Sequence, residues 1–276
     1  KKFLLNNDVF SLDLILGDNI RYKLNYFVDN GFYTSFGIRS SFTNFLSNTK
    51  NTIVSNTPSL NSINLKYNDF TNQVFLQTTF ERRFALGIGL EHQYINVSSE
   101  TFATNNRKTV FDDSNYLNFF TYLKYDSYDN KLFPTKGYFA DLNAKWYLLS
   151  SDFNNDFKRF IQAKGTLGFA ASLGSRFTFQ NTNEAGFTLN NPTSNIFKFY
   201  LGGYNKNYIN TFISLYGYGF AELSQDTFLK SEFNFRYRFT NNQYALFIAN
   251  YARLEPNVFK NLDLFTNIRS GYALGY

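Results

Sequence analysis

YDNKLFPTKG, residues Tyr128–Gly137, is the stretch that decides the fold. Its Asp, Asn, Pro and Gly residues are those that build turns between strands. Apolar and polar residues alternate on both sides of it, over residues 116–125 and 138–149. Such alternation is typical of a β-strand with one apolar and one polar face. The stretch is therefore predicted to be a turn that joins two antiparallel strands.

The polar faces of the alternating strands carry charged side chains. A Lys or Arg that faces lipid near the midplane of a bilayer costs on the order of 2–4 kcal/mol. If the apolar faces meet lipid, the charges must face a wet lumen, and we predict a transmembrane antiparallel β-barrel. Six charged residues belong to this predicted lumen face: Asp141, Lys145, Lys230, Glu232, Arg236 and Arg238.

The composition fits a barrel better than the alternative, an aromatic-rich soluble β-sandwich. Aromatic residues make up 21% of the 276 residues, and such rings cover the lipid belt of a barrel. Mean hydropathy is −0.34, and the longest apolar run, FALGIGL at 84–90, is too short for a spanning helix. Cysteine is absent, which excludes disulfides and thiolate sites.

Strand patterns cover most of the chain, so the fold class is all-β. The segments at 43–64, 96–115 and 190–218 have no such pattern and are predicted to be long connections. All four prolines lie between predicted strands, as a closed hydrogen-bonded sheet requires. Twelve strands are predicted, at about 10–16, 20–28, 32–39, 73–80, 84–95, 116–125, 138–149, 158–173, 176–189, 221–239, 243–253 and 264–276.

The turn and its strands resemble the BamA/TamA superfamily of outer-membrane barrels, the bacterial surface antigens. In that superfamily an aspartate turn followed by Phe-Pro-Thr-x-Gly joins two strands midway through the barrel. The corresponding residues here are Asp129, Asn130, Phe133, Pro134, Thr135 and Gly137. The resemblance implies a barrel of about 16 strands. The barrel domain, 1–276, is then incomplete at both ends, by about two strands each.

A second similarity lies in the long connection at about 190–218. The run FKFYLGG at 197–203 resembles the superfamily's Phe-Tyr-x-Gly-Gly approach to a large inward-folding loop. That loop carries Val-Arg-Gly-Phe at its tip, where the arginine contacts the barrel wall. Tyr216 replaces this arginine, so the resemblance does not by itself imply activities tied to that arginine, such as protein insertion or secretion. The motif residues here are Gly202, Gly203, Tyr216, Gly217 and Tyr218.

The run at 201–220, LGGYNKNYINTFISLYGYGF, looks most like the C-terminal barrel of patatin-like phospholipases. In those proteins a lipase domain and a small linking domain precede the barrel. Lipase chemistry needs a Gly-x-Ser-x-Gly elbow, and this chain contains none. The chain itself is therefore predicted to be non-catalytic, while the full-length protein would be a serine hydrolase.

Other classes of site have little support in the sequence. His92 is the only histidine, which excludes paired-histidine metal sites, and no cofactor is expected. The net charge is +6, but the basic residues are scattered, so nucleic acid is not an expected partner.

Three hypotheses remain for a barrel in the outer membrane of a Gram-negative bacterium. The first is anchoring or translocation of an attached patatin-like phospholipase. The second is a BamA/TamA-type assembly or secretion barrel. The third is a passive pore or a structural subunit of an envelope complex. The expected partners are outer-membrane lipids and other envelope proteins.

Overall fold

The computed structural model describes residues 7–17, 20–30, 34–49, 63–81, 83–104, 107–131, 133–190, 195–204, 212–219, 222–240, 243–255 and 268–276. Nearly all of them are in strands, and one short 3₁₀ helix spans Asn195–Phe197. No helix among these residues is long and apolar enough to cross a bilayer. The strands are β1 (Asp8–Ile15), β2 (Arg21–Val28), β3 (Ser35–Thr49), β4 (Ile63–Phe80), β5 (Phe84–Thr104), β6 (Arg107–Asp126), β7 (Gly137–Ser150), β8 (Phe160–Leu173), β9 (Phe177–Leu189), β10 (Phe199–Leu201), β11 (Phe212–Ile213), β12 (Leu223–Gln225), β13 (Thr227–Thr240), β14 (Gln243–Glu255) and β15 (Ile268–Gly275).

Twelve of the described strands form one antiparallel sheet in the order β1-β2-β3-β4-β5-β6-β7-β8-β9-β13-β14-β15. Side chains of distant strands reach across one face, as when Arg236 on β13 donates a hydrogen bond to the carbonyl of Pro134 in the β6–β7 connection, so the sheet is curved around a lumen. Within the described residues no pairing joins β1 to β15. The prediction of a barrel-type sheet with about twelve strands is confirmed.

Four strands are longer than predicted. Residues 43–64 and 96–115 were expected to be connections, but β3 and β4 extend into the first from both sides, and β5 and β6 occupy most of the second. There the outward face becomes polar and cross-strand hydrogen bonds replace apolar contacts, as from Asn44 to Asn68 at 2.9 Å and from Tyr94 to Asp113 at 2.6 Å. Beyond the lipid belt a strand therefore does not need an apolar outward face, and the alternation of apolar and polar residues does not reveal it.

The outward face carries a continuous apolar band. Its side chains are exposed on the outside of the sheet; Trp146, for example, is 44% exposed. The band ends where His92 on β5 hydrogen-bonds Asn115 on β6 at 3.1 Å. Further members of the band are Ile38, Val74, Leu76, Leu86, Ile88, Leu90, Leu117, Phe119, Leu142, Leu167, Leu229 and Phe247.

The chain leaves the sheet between β9 and β13 and forms a small sheet of its own. In it β10 pairs in parallel with β11 and antiparallel with β12. The prediction of one continuous strand over 221–239 is therefore wrong. β12 pairs with β10 in the small sheet, and only β13 belongs to the wall. We call residues 195–226 the inner segment; residues 205–211, 220 and 221 of it lie outside the described part of the chain.

Candidate functional site

Two ends of the lumen are distinguished by their connections. We call the end where β4–β5, β6–β7, β8–β9 and β13–β14 connect the short-turn end, and the opposite end the long-connection end. Toward the long-connection end, buried apolar side chains of β4 to β8 pack against the inner segment. We call this group the aromatic cluster: Leu65, Tyr67, Ile95, Val97, Tyr116, Tyr147, Phe160, Ile196, Phe197 and Tyr200.

Rings make the closest contacts in the aromatic cluster. Tyr147 stacks on Phe160 with ring centroids 4.2 Å apart, and Phe197 of the inner segment lies 4.8 Å from Phe160 and 5.1 Å from Tyr147. Tyr116 meets Phe197 edge-on at 5.3 Å. Burial of this apolar area excludes water, so the aromatic cluster closes this part of the lumen.

A polar cavity of about 600 Å³ lies on the short-turn side of the aromatic cluster. Inward side chains of β1 to β8 line it, and Phe199 of the inner segment forms part of its wall. On β7, for example, Asp141, Asn143 and Lys145 line the cavity, and Tyr147 comes next toward the long-connection end. The cavity and the aromatic cluster therefore divide the lumen by polarity.

A buried ion pair lies between these two regions. The ammonium of Lys145 is 2.5 Å from the carboxylate of Glu91, whose side chain is 0% exposed. Gln73 and Asn118 also donate hydrogen bonds to Glu91, at 2.6 and 2.9 Å. With three donors the buried carboxylate is fully paired, as burial of a charge requires.

A second ionic group attaches the inner segment to the wall. Lys230 on β13, 1% exposed, lies 3.0 Å from Glu184 and 3.1 Å from Glu232. Its ammonium also reaches the hydroxyl of Ser214 in the inner segment, at 3.5 Å. In this structure a wall lysine, rather than an arginine of the loop, makes this polar contact, and Gln162 on β8 makes another by donating to the carbonyl of Phe197 at 2.7 Å. Lys164 lies 3.7 Å from the same Glu184.

Backbone contacts hold the rest of the inner segment. Gly202 and Gly203 donate hydrogen bonds to Ile213 and Tyr218, each at 2.9 Å. The ring of Tyr216 lies 5.7 Å from that of Tyr204, and Gly217 has a φ of +88°. Tyr218 packs on the apolar group around Phe199, Leu215 and Phe228.

Gly271 on β15 receives the tip of the inner segment. A Cβ at this position would overlap the backbone carbonyl of Tyr216, so only glycine lets the two backbones approach so closely. Gly271 pairs with Asn250 in the sheet, and both face the lumen. The tip is thus seated on the last described strand pair by backbone shape rather than by a charged side chain.

The motif turn, residues 127–136, is held by its own side chains. The carboxylate of Asp129 accepts hydrogen bonds from the amides of Thr135 and Lys136, at 2.8 and 3.2 Å, and from the Thr135 hydroxyl. Asn130 accepts from the Phe133 amide at 3.1 Å. Partial burial opposes ionisation, but these hydrogen bonds outweigh it and lower the pKa of Asp129 to about 2.

The turn reaches strands that are not its neighbours in the sheet. The guanidinium of Arg236 on β13 donates to the carbonyl of Pro134 and lies 5.4 Å from the ring centre of Phe133. Phe133 stacks on Tyr244 of β14 with centroids 5.5 Å apart. These contacts connect the β6–β7 turn to β13 and β14 across the short-turn end of the lumen. Arg238, two residues further along β13, donates to the carbonyl of Ser175 in the β8–β9 turn.

The close fit of Gly137 explains one position of the motif. It has a φ of +114°, and a Cβ there would overlap the carbonyl of Ser127 at the other side of the turn.

Among the described residues, no three His, Cys, Asp or Glu side chains come together as metal ligands.

The chain thus combines three features. They are a barrel-type sheet, an inner segment that packs inside the lumen, and a motif turn at the short-turn end. The family model described as the OMP85 superfamily matches residues 1–276. The chain belongs to the OMP85 superfamily.

The OMP85 fold also relates the chain to a solved structure. BamA from Haemophilus ducreyi lacking POTRA domains 1–3 matches with a TM-score of 0.64 and 11% identity. The match covers 93% of this chain and 55% of that one, so the chain spans about half the length of this BamA. At this identity the likeness concerns the fold alone. No curated protein matches the sequence.

Sequence reasoning missed three parts of this OMP85 lumen. The aromatic cluster was not predicted, because its rings stand on faces that were expected to be wet. Glu91 and Gly271 were not singled out either. The one available signal was the run of aromatic residues at inward positions near the long-connection ends of β6, β7 and β8, at Tyr116, Tyr147 and Phe160.

Proposed function

We propose that this chain is the outer-membrane barrel of a larger protein, in which it anchors or translocates an attached patatin-like phospholipase. The barrel itself takes no part in catalysis. The proposal is supported by the resemblance of 201–220 to patatin-associated barrels and by the way the chain fills its own lumen.

The observation that carries the proposal is that the aromatic cluster and the inner segment fill the long-connection side of the lumen. The aromatic cluster is dry, and the inner segment is attached to the wall through Lys230 and through Gly271. A barrel filled in this way suits a membrane anchor better than a passive pore, which needs a continuous aqueous path. The covalent link to a lipase would then keep the enzyme at the outer membrane.

The gene upstream of Lys1 tests the proposal first. It should encode a Gly-x-Ser-x-Gly elbow in a patatin-like domain, followed by a small linking domain. Cells that express the full-length gene should then hold the phospholipase activity in the outer-membrane fraction. Removal of residues 1–276 should release the activity into the soluble fraction, whereas Lys131→Gln, a change on the exposed turn, should leave it membrane-bound.

The proposal is wrong if no such elbow is encoded, or if the activity stays in the membrane fraction after the barrel is removed. Loss of both activity and lipase protein would be resolved by immunoblotting of the two fractions, because the location of the polypeptide decides the question.

A second candidate is an assembly or secretion barrel that handles other outer-membrane proteins. The specific observation in its favour is that the inner segment stays seated although Tyr216 replaces the loop arginine, since Ser214, Lys230 and Gly271 supply the contacts. The fold similarity to BamA is compatible with this role.

Depletion of the protein separates the two candidates. An assembly barrel predicts tandem linking domains upstream and reduced amounts of other outer-membrane proteins within a few generations. Unchanged amounts of those proteins, together with lost outer-membrane phospholipase activity, would favour the anchor.

A further inference from the structure

The charges that line the polar cavity are unbalanced. Six Lys or Arg and four Asp or Glu side chains face it within the described part of the chain. Four of the six cations have a carboxylate within 4 Å. These pairs are Arg21–Asp13 at 2.7 Å, Lys124–Asp141 at 3.3 Å, Lys145–Glu91 at 2.5 Å and Lys164–Glu184 at 3.7 Å.

Lys23 and Arg39 are the remaining two cations, and they are neighbours. In the β2–β3 register Lys23 pairs with Ser41 and Asn25 pairs with Arg39, so the two cations are diagonal on one face. Diagonal positions of a strand pair are roughly 7–8 Å apart, within reach of two long side chains. Neither has a carboxylate at ion-pair distance among the described residues.

The guanidinium of Arg39 is held in place by its neighbours, but not all of its N–H groups donate a hydrogen bond. Its Nη1 donates to Gln73 at 2.8 Å, and its guanidinium lies 5.1 Å from the ring centre of Phe75. Gln73 in turn donates to the buried carboxylate of Glu91, which fixes its amide. A guanidinium has five N–H donors, and Nε has no hydrogen-bond acceptor in the described structure.

Two carboxylates lie near this pair in the register, and both are occupied elsewhere. Asp13 is directly opposite Lys23 across β1 and β2, but its carboxylate pairs with Arg21 at 2.7 Å. Asp69 pairs with Thr43 across β3 and β4, and it accepts hydrogen bonds from Thr71 and Gln93, at 2.8 and 2.9 Å. Among the described residues no carboxylate forms an ion pair with Lys23 or Arg39, so positive charge is left in excess on this part of the cavity wall. A fixed guanidinium beside a flexible ammonium is the arrangement that recognises phosphate and related oxyanions.

We propose that Lys23 and Arg39 form an oxyanion-binding site on the cavity wall, which takes a phosphate group. The group could belong to a free phosphate compound or to a lipid headgroup, and the two share the same chemistry at the site. This inference does not depend on the proposed anchoring function, because it rests on the cavity wall alone.

Thermal unfolding of the full-length protein in a zwitterionic detergent tests the site. Inorganic phosphate and pyrophosphate should raise the unfolding midpoint above that in sodium chloride of equal ionic strength. Lys23→Gln and Arg39→Gln should each raise the half-effective concentration about tenfold or more, because each removes a charge-assisted contact. Lys131→Gln, which removes an equal charge from the exposed turn, should behave as wild type.

The source of the group is distinguished by a parallel series in mixed micelles. Stabilisation by phosphatidylglycerol over phosphatidylcholine, absent in both variants, would assign the site to a lipid headgroup. Stabilisation by inorganic phosphate or pyrophosphate alone would assign it to a soluble compound.

The proposal is overturned if phosphate, pyrophosphate and phosphatidylglycerol do no more than their controls, or if both variants respond as wild type does. Should Arg39→Gln fail to fold, Lys23→Gln decides the question, because Lys23 makes no ion pair in the described structure whose loss could unfold it.

Discussion

The buried ion pair between Glu91 and Lys145 makes the sharpest prediction about stability. Glu91→Ala removes the acceptor of three donors, the ammonium of Lys145 and the amides of Gln73 and Asn118. Breaking a buried pair by removing one partner costs about 3–5 kcal/mol. Because Lys145 is 17% exposed and the cavity can hydrate it, we expect about 3 kcal/mol, at the low end of this range.

Removal of the other partner of the pair should lower the free energy of unfolding by about as much. Lys145→Met leaves Glu91 charged and 0% exposed with two neutral donors. In the double variant Glu91→Ala/Lys145→Met no unpaired charge is left. Its cost should therefore be smaller than the sum of the single changes by about 2 kcal/mol. Lys124→Met is the matched control, because Lys124 pairs with Asp141 on the same cavity wall but is 54% exposed. It should cost less than about 1 kcal/mol.

Equilibrium unfolding in urea, with the barrel refolded into phospholipid vesicles, measures these differences. Trp146 is the only tryptophan of the chain and faces the apolar band next to Lys145, so its fluorescence reports whether the strand is in lipid. If Glu91→Ala and Lys145→Met each cost less than about 1 kcal/mol and their effects add, the ion pair is hydrated. The lumen is then not divided into a polar cavity and a region that excludes water.

Three further predictions concern the inner segment and the turn. Gly271→Val should unseat the tip of the inner segment, because its side chain would occupy the space of the Tyr216 carbonyl; limited proteolysis should then cut the segment much faster than in wild type, and an unchanged cleavage pattern would contradict the seating. Phe160→Ala should open the aromatic cluster and convert a silent barrel into one with measurable single-channel conductance, and equal conductance in wild type would mean that the lumen is already open. Asp129 has a folded pKa of about 2, below its ordinary value of 3.8, so its contribution to stability is complete above about pH 4 and is lost as the pH falls through about 2. The difference in urea midpoint between wild type and Asp129→Asn should shrink over this range, and a difference that does not depend on pH would refute the role of the carboxylate.

The sequence by itself determined the wall of this protein. An alternating strand must put every second residue on the lipid side, so local order along the chain fixes which face Trp146 and Lys145 occupy. The strand type, the number of strands and the turn at Tyr128–Gly137 follow from this short-range rule and from turn chemistry.

Only the tertiary structure decided what fills the lumen. Alternation tells which residues point inward, but not which inward residues meet one another, because those contacts join strands far apart in the chain. The same inward face holds the dry ring of Phe160 and the ion pair of Lys145, and the difference comes from the inner segment that packs against one and not the other. Gly271 illustrates the same limit: its lack of a side chain has meaning only when the Tyr216 carbonyl lies against it, 55 residues away in sequence.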